Sequence, residues 1–548
     1  MKKITYLLLG ALLCLTSCFE DEGNYKYSKT NPPHWLNVSS VPTFYAYDAR
    51  EVTLVGENLF VWDTDSLQRA EEVTYEWELN NKIVGEGINL TIDTRELMNR
   101  AEINSFSGSN GTGIYGTFNI VEKSTGVKYM KKFQVFFYPR YSGGDWILMI
   151  DKNNSTKLDV LITGSKYTLV ENAYEELNDN QSIPGKPVSM AWAFDKHVGT
   201  QGSITIITDE CAYELNAEDL TFYSDLTDPV QFLEGVPAGF KPVQRVDIDP
   251  ARENVSSPAT FLLSEDGKLY TRVMSPNYLG GKFLSDPYEI DGKGYDITYF
   301  GNAMYTGIVP GYDEKNRRFV MGAVVEVISG SQETQELLYQ TKVVGLEGTP
   351  SYGSKVCDFP EGTEILYLGP AGHLKNATQV FVCVSNQPGS SVTHVADFLV
   401  YPSTLKADLG NWKLNSFDLP IQLDENSQIV ASGNSRTPMT AQTMARTMIY
   451  TKGQKVYFAQ RSPYANFGYM DITYGEIAVD VTSDICYMSV AYYDMNKLFL
   501  ACENGDIFVY DITTLKFPTL EYQGNVGGKV VEARQLGMHT STSDKMNH

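Results

Sequence analysis

Lys497-Leu498-Phe499-Leu500-Ala501-Cys502-Glu503-Asn504-Gly505-Asp506-Ile507-Phe508-Val509-Tyr510 is the stretch that decides the fold. Two apolar runs flank an Asn-Gly pair. That pair supplies the positive φ angles demanded by a two-residue hairpin turn. The pattern returns at Phe261–Tyr270 around Asp266-Gly267, at Met448–Phe458 around Lys452-Gly453, and from Ile204–Thr208 to Ala212–Leu215. Two of these units align beyond the hairpin. Lys268, Leu269, Tyr270, Ser275 and Pro276 correspond to Lys455, Val456, Tyr457, Ser462 and Pro463 at one constant offset. Asp296-Ile297-Thr298-Tyr299 recurs as Asp471-Ile472-Thr473-Tyr474. Val400-Tyr401-Pro402-Ser403-Thr404-Leu405-Lys406 echoes Val509-Tyr510-Asp511-Ile512-Thr513-Thr514-Leu515-Lys516. Self-similarity at a period of roughly 50 residues is the mark of propeller blades. Residues 141–540 are therefore expected to form a β-propeller of about seven blades, with each hairpin as the inner pair of strands. Residues 541–548 read as a polar tail.

Working toward the N-terminus, residues 36–140 alternate apolar and polar residues with period two. The segments are Glu51–Val55, Val73–Leu79, Ile88–Ile92, Gly116–Val121 and Lys132–Phe137, with Asn80-Asn81 and Gly85 or Gly87 at turns. This predicts an all-β immunoglobulin-like sandwich with Trp77 in its core. Thr94–Ile103 is the one helical pattern. Before the sandwich stands MKKITYLLLGALLCLTSC, residues 1–18. Lys2 and Lys3 form a basic start and Ile4–Leu15 an apolar run, so residues 1–17 read as an export signal. Leu15-Thr16-Ser17-Cys18 fits a bacterial lipobox: small residues admit the signal peptidase, and the Cys18 thiol takes the lipid. Acyl chains then anchor a folded domain outside the bilayer. Residues 18–35 form the tether, and its acidic start Glu20-Asp21-Glu22 reads as a surface-export signal.

The order lipobox, Phe19-Glu20-Asp21-Glu22-Gly23-Asn24-Tyr25, a Tyr75-Glu76-Trp77 sandwich, then Gly143-Gly144-Asp145-Trp146-Ile147-Leu148-Met149 resembles the PKD-like surface lipoproteins of Bacteroidetes. The resemblance covers about the first 165 residues well and the rest loosely. It implies a polycystic-kidney-disease-type domain and a position on the outer membrane, facing the cell exterior. It also implies an accessory role beside a TonB-dependent transporter and a SusD-like lipoprotein in nutrient uptake, with glycan or peptide as cargo. No catalytic residue comes with it.

The 548 residues carry 67 acidic and 44 basic side chains, a formal charge of −23. Losing Lys2 and Lys3 with the signal takes −23 to −25. This excludes nucleic acid as a partner, because phosphate binding needs clustered Lys and Arg. Six His are scattered without HExxH or CxxC-linked spacing, so no zinc site is assigned. Asp63-Thr64-Asp65-Ser66 hints at calcium but lacks the glycine and terminal Glu of an EF-hand loop, so neither cofactor nor metal is assigned. Cys211, Cys357, Cys383, Cys486 and Cys502 lack paired spacing and read as buried free thiols. No GxSxG elbow, P-loop or GxGxxG occurs. The distinctive feature is aromatic excess, 35 Tyr, 25 Phe and 6 Trp. Tyr278, Trp412, Tyr464, Phe467 and Tyr469 fall in Gly/Pro/Asn-rich stretches and are the ligand-binding candidates, since a flat ring with a polar tip desolvates cheaply. A non-catalytic binding module is the expectation. A glycan- or protein-degrading hydrolase with acids in the propeller funnel and a purely structural envelope protein are the alternatives.

Overall fold

A computed structural model describes residues 32–63, 66–106, 111–141, 144–164, 166–193, 202–248, 259–273, 281–300, 308–329, 336–345, 359–373, 379–400, 415–431, 447–461, 472–490 and 496–536. The chain is all-β in architecture and divides into two compact units.

The first unit centres on residues 50–104 and 114–135. Its main sheet has five strands, in the order Thr43–Tyr47, Lys128–Tyr138, Ile114–Glu122, Val73–Leu79, Lys82–Glu86. A two-stranded sheet pairs Glu51–Val55 with Asn89–Asp93. The predicted strands and the short helix (Thr94–Arg100) are present. Asp93 caps that helix by accepting from the Glu96 N–H, the expected use of an Asp at an N-cap. Alternation carries Val73, Trp77 and Leu79 inward. Trp77 is fully buried, 4.5 Å from the Phe118 ring and 5.2 Å from Phe133. Its indole N–H donates to the Gly87 carbonyl at 3.0 Å, so the core tryptophan leaves no polar atom unsatisfied.

The second unit holds seven sheets among the described residues. Six of them follow one another along the chain and begin with Pro187–Ala193, Pro242–Ile248, Ile297–Phe300, Glu364–His373, Ile429–Ala431 and Ile485–Val490. The remaining sheet is built from both ends of the unit. The C-terminal strand Lys529–Gln535 pairs antiparallel with Trp146–Asp151, which continues to Thr156–Ile162 and Thr168–Val170. Numbering this sheet as blade one and the others in chain order gives seven blades. Each has four strands except blade three, which has three among the described residues. Neighbouring first strands lie beside one another: Pro187–Ala193 contacts both Lys529–Gln535 and Pro242–Ile248, and Ile485–Val490 contacts both Lys529–Gln535 and Ile429–Ala431. The first strands are thus innermost, and the ring closes through the C-terminal strand, leaving only short, protected inner edges.

The quoted hairpins are all present, but at Asn504-Gly505 and Asp266-Gly267 only the glycine takes a positive φ (Gly505 +85°, Gly267 +74°), and the connections, Cys502 to Asp506 and Ser264 to Leu269, are longer than the two-residue turn expected. Two further expectations are corrected. The hairpins are the second and third strands of their blades, not the inner pair: in blade seven they are Lys497–Cys502 and Asp506–Asp511, outside Ile485–Val490. The Asp-Ile-Thr-Tyr echo is not a repeat of position either, because Ile297–Phe300 is innermost in blade four whereas Ile472–Ile477 is outermost in blade six. The structural recurrence is Asp296-Ile297-Thr298-Tyr299, Glu364-Ile365-Leu366-Tyr367 and Asp484-Ile485-Cys486-Tyr487, each opening an inner strand.

Cys211, Cys383 and Cys502 are buried free thiols, as read, while Cys486 is free but only half-buried; Cys357 lies outside the described residues. Burial pushes Cys211 up to about 11 and Cys486 up to about 12. The thiolate is the reactive form. Iodoacetamide at pH 8 is therefore expected to leave both unlabelled in the native protein and to label them after denaturation. Native labelling of Cys486, read by peptide mass spectrometry, would contradict this packing.

Candidate functional site

The lipid-bearing Cys18, the acidic Glu20, Asp21 and Glu22, and the ligand candidates Tyr278, Trp412, Tyr464, Phe467 and Tyr469 all lie outside the described residues. Of the histidines, His34 pairs with Asp63 at 2.7 Å on the surface and His394 pairs with Asp418 at 2.5 Å between two outer strands of blade five. Among the described residues no three His, Cys, Asp or Glu converge to hold a metal.

The propeller axis has a recurring device. In six blades the innermost strand carries a β-bulge against the second strand, and the residue just past it is Ser189, Gln244, Tyr299, Tyr367, Tyr487 or Glu532. A bulge re-aims the side chain that follows it. For five of the six the aim is the next blade. The Ser189 hydroxyl donates to the Val243 carbonyl at 2.7 Å, and the Tyr487 hydroxyl donates to the Ala533 carbonyl at 2.7 Å. Glu532 accepts from the Met190 N–H at 2.6 Å. Tyr299 bonds to the backbone of Leu368, and Tyr367 to the backbone of Ala431. Arg534, also on the C-terminal strand, pairs with Glu532 and donates through Nε to the Met190 carbonyl at 3.2 Å. Burial pushes Tyr367 and Tyr487 up to about 12, so both remain neutral phenols. These polar groups are committed to holding blade to blade.

A second polar group is wholly internal. Arg245, on the inner strand of blade three, has no exposed side-chain surface. It grips Asp247 with Nε at 2.8 Å and Nη2 at 3.1 Å, and through Nη1 reaches Glu214 of blade two at 2.5 Å and Thr205 at 2.7 Å. Burial opposes ionisation of Glu214, but Arg245 and Arg272 beside it outweigh that and hold the carboxyl down at about 2. This cluster joins two blades, and only Asp247 reaches solvent in part.

An open cleft of about 580 Å³ lies where blade seven meets blade one. Its lining is Gly164, Lys166 and Tyr167 from the turn between the outer strands of blade one, and Lys497, Glu521 and Tyr522 from blade seven. The volume is within the range of ordinary ligand sites. The Tyr167 and Tyr522 rings are 5.6 Å apart at 39°, forming an aromatic corner. The Tyr167 hydroxyl donates to Glu521 Oε2 at 2.8 Å. Lys497 Nζ donates to Glu521 Oε1 at 2.5 Å and to Asp511 at 2.7 Å. Burial and the Glu521 carboxylate push Tyr167 up to about 12, so it remains a donor at neutral pH. The Lys497 ammonium, with the Thr513 N–H, holds Asp511 down at about 2. The corner is thus rigid, aromatic and edged by charges fixed in place. No single stretch of sequence shows it, because its six residues come from three separated segments.

Blade one also explains the Gly-Asp-Trp motif. The Trp146 ring stacks on Phe499 of blade seven at 5.1 Å. Buried Asp145 accepts from the Thr163 N–H at 2.7 Å, and its carbonyl accepts from the Leu536 N–H at 2.8 Å. The motif is a clasp for ring closure.

Residues 18–187 match the PKD-like family. The PKD-like match runs through the sandwich and the three outer strands of blade one, ending where blade two begins. No curated protein matches the chain. Among solved structures it is similar to a quinonprotein alcohol dehydrogenase-like protein from Bacteroides thetaiotaomicron, at 10% identity and TM-score 0.32, over 92% of this chain and 97% of that one. The β-propeller domain of Vanderwaltozyma polyspora Nup133 overlaps at 8% identity and TM-score 0.36, over 65% and 87%. Apo AztD from Citrobacter koseri overlaps at 12% identity and TM-score 0.32, over 71% and 97%.

Proposed function

We propose that this protein is a surface-exposed lipoprotein of the outer membrane that captures a polymeric nutrient, glycan or peptide, without cleaving it, beside a SusC/SusD-like transporter. The lipobox ending at Cys18, the acidic Glu20-Asp21-Glu22 and the PKD-like match support the address. The cleft between blades seven and one carries the binding reading. It joins two tyrosine rings to a carboxylate and an ammonium already held in register, and such a surface loses little entropy on binding.

The test is recovery of partners and cargo from outer membranes with the tagged full chain in mild detergent. Co-purification of a TonB-dependent transporter is the expected result. Tyr167→Ala is expected to weaken capture of the cargo polymer roughly tenfold or more, since buried aromatic anchors dominate binding energy. Release of shortened products from the polymer would replace this reading with the hydrolase.

A further inference from the structure

Resting on that reading of the cleft, we infer that its ligand is an uncharged saccharide rather than an acidic glycan or a peptide. The inference comes from hydrogen-bonding capacity and charge. An ionised carboxylate offers about four lone-pair sites, and an ammonium three donors. Glu521 accepts from Tyr167 and Lys497, which leaves acceptor sites open on both oxygens. Lys497 donates to Glu521 and Asp511, which leaves one N–H for a guest. Tyr167 spends its proton on Glu521 and keeps its lone pairs. Donors and acceptors therefore alternate over a few ångströms. A sugar hydroxyl both donates and accepts, so vicinal hydroxyls match that alternation.

The local charge is balanced: Lys166 and Lys497 against Glu521 and Asp511. A carboxylate-bearing sugar would approach Lys497 past two carboxylates that already neutralise it. The whole chain, at −23, adds to the repulsion. Tyr167 and Tyr522, with centroids 5.6 Å apart and inclined at 39°, pack on the core beneath and leave a small apolar edge beside the polar groups, which suits the C–H surface of a sugar ring.

The experiment immobilises the full chain in mild detergent and titrates three probes of equal length. They are a neutral hexose oligosaccharide, the same backbone carrying uronic acids, and an uncharged capped peptide. The neutral oligosaccharide is expected to bind at least tenfold more tightly than either other probe. Tyr167→Ala and Tyr522→Ala should each remove most of that binding. Glu521→Gln should narrow the preference for the neutral over the acidic probe, a readout that simple loss of fold would not give. Preference for the uronate or the peptide, abolished by Tyr167→Ala, would overturn the saccharide class and leave capture at the cleft standing. Binding of the neutral probe that Tyr167→Ala and Tyr522→Ala both leave intact would overturn the cleft as its site. No binding of any probe would overturn the capture reading together with the class.

Discussion

Arg245→Ala is expected to destabilise the propeller by about 3–5 kcal/mol, the usual consequence of removing one partner from a buried ion pair. Arg245 has no exposed side-chain surface, and Glu214 is 2% exposed. Truncation leaves Glu214 and Asp247 without their main cation; Glu214 keeps Arg272 at 3.6 Å and the hydroxyls of Ser203 and Ser224, and Asp247 keeps the hydroxyl of Thr260. The pH dependence gives a second readout. The Glu214 carboxyl sits at about 2 in the fold against an ordinary 4.5. A depressed folded value means that the unfolded chain binds the proton more readily. The contribution is therefore full above the ordinary value and disappears as pH falls through the folded one. Wild-type propeller stability should decline between pH about 4.5 and about 2. In Arg245→Ala the carboxylate loses its strongest partner and burial pushes its affinity for protons upward, so that acid-linked loss should shrink. Calorimetric melting at pH 7 and at low pH measures both. A variant melting close to the wild type at pH 7 would show that the pair is not the blade-to-blade tie its geometry describes.

That cluster also shows what a sequence reading can and cannot reach. Hairpins were legible because an Asn-Gly or Asp-Gly pair between apolar runs is a local signal, and Gly505 and Gly267 do adopt positive φ. Trp77 was legible because period-two alternation puts every second residue on one face. The inner strands were not. Their bulges break the alternation, and the following Ser189, Tyr299, Tyr367, Tyr487 and Glu532 differ in chemistry while doing related jobs. Arg245 and Glu214 look like solvent-facing charges in their strands; only the neighbouring blade buries them. The cleft was invisible for the same reason, since Tyr167 and Tyr522 meet only because the ring closes. Tyr278, Trp412 and the Tyr464 segment stand out as aromatics in Gly/Pro/Asn-rich stretches, whereas Tyr167 directly precedes a strand and Tyr522 lies within one, so both read as ordinary β residues.

Ending the chain at residue 528 is expected to abolish the cooperative thermal transition of the propeller. The missing strand, Lys529–Gln535, is the inner strand of blade one and is paired along the whole of Trp146–Asp151. Without it Trp146, Leu148 and Ile150 lose the cover of Val530 and Ala533, with which they share one core with Phe499, Ala501 and Ile507. The Tyr487 hydroxyl loses the Ala533 carbonyl, and the Met190 N–H loses Glu532. Two blades are released at once, because the strand neighbours the inner strands of both blade two and blade seven. A β-ring with one inner strand removed exposes a ladder edge that invites pairing with another chain. Aggregation on heating and rapid proteolysis between residues 144 and 193 are the expected signs. Ala533→Asp is the milder companion: Ala533 is 1% exposed in a core with Trp146, Leu148, Phe499 and Ile507, so burying a carboxylate there should cost several kcal/mol. Limited proteolysis and calorimetry on both variants decide the matter. If the truncated chain melts cooperatively near the wild-type temperature, the C-terminal strand is not the closure of the ring. The cleft at the seam of blades seven and one would then need another source for its rigidity.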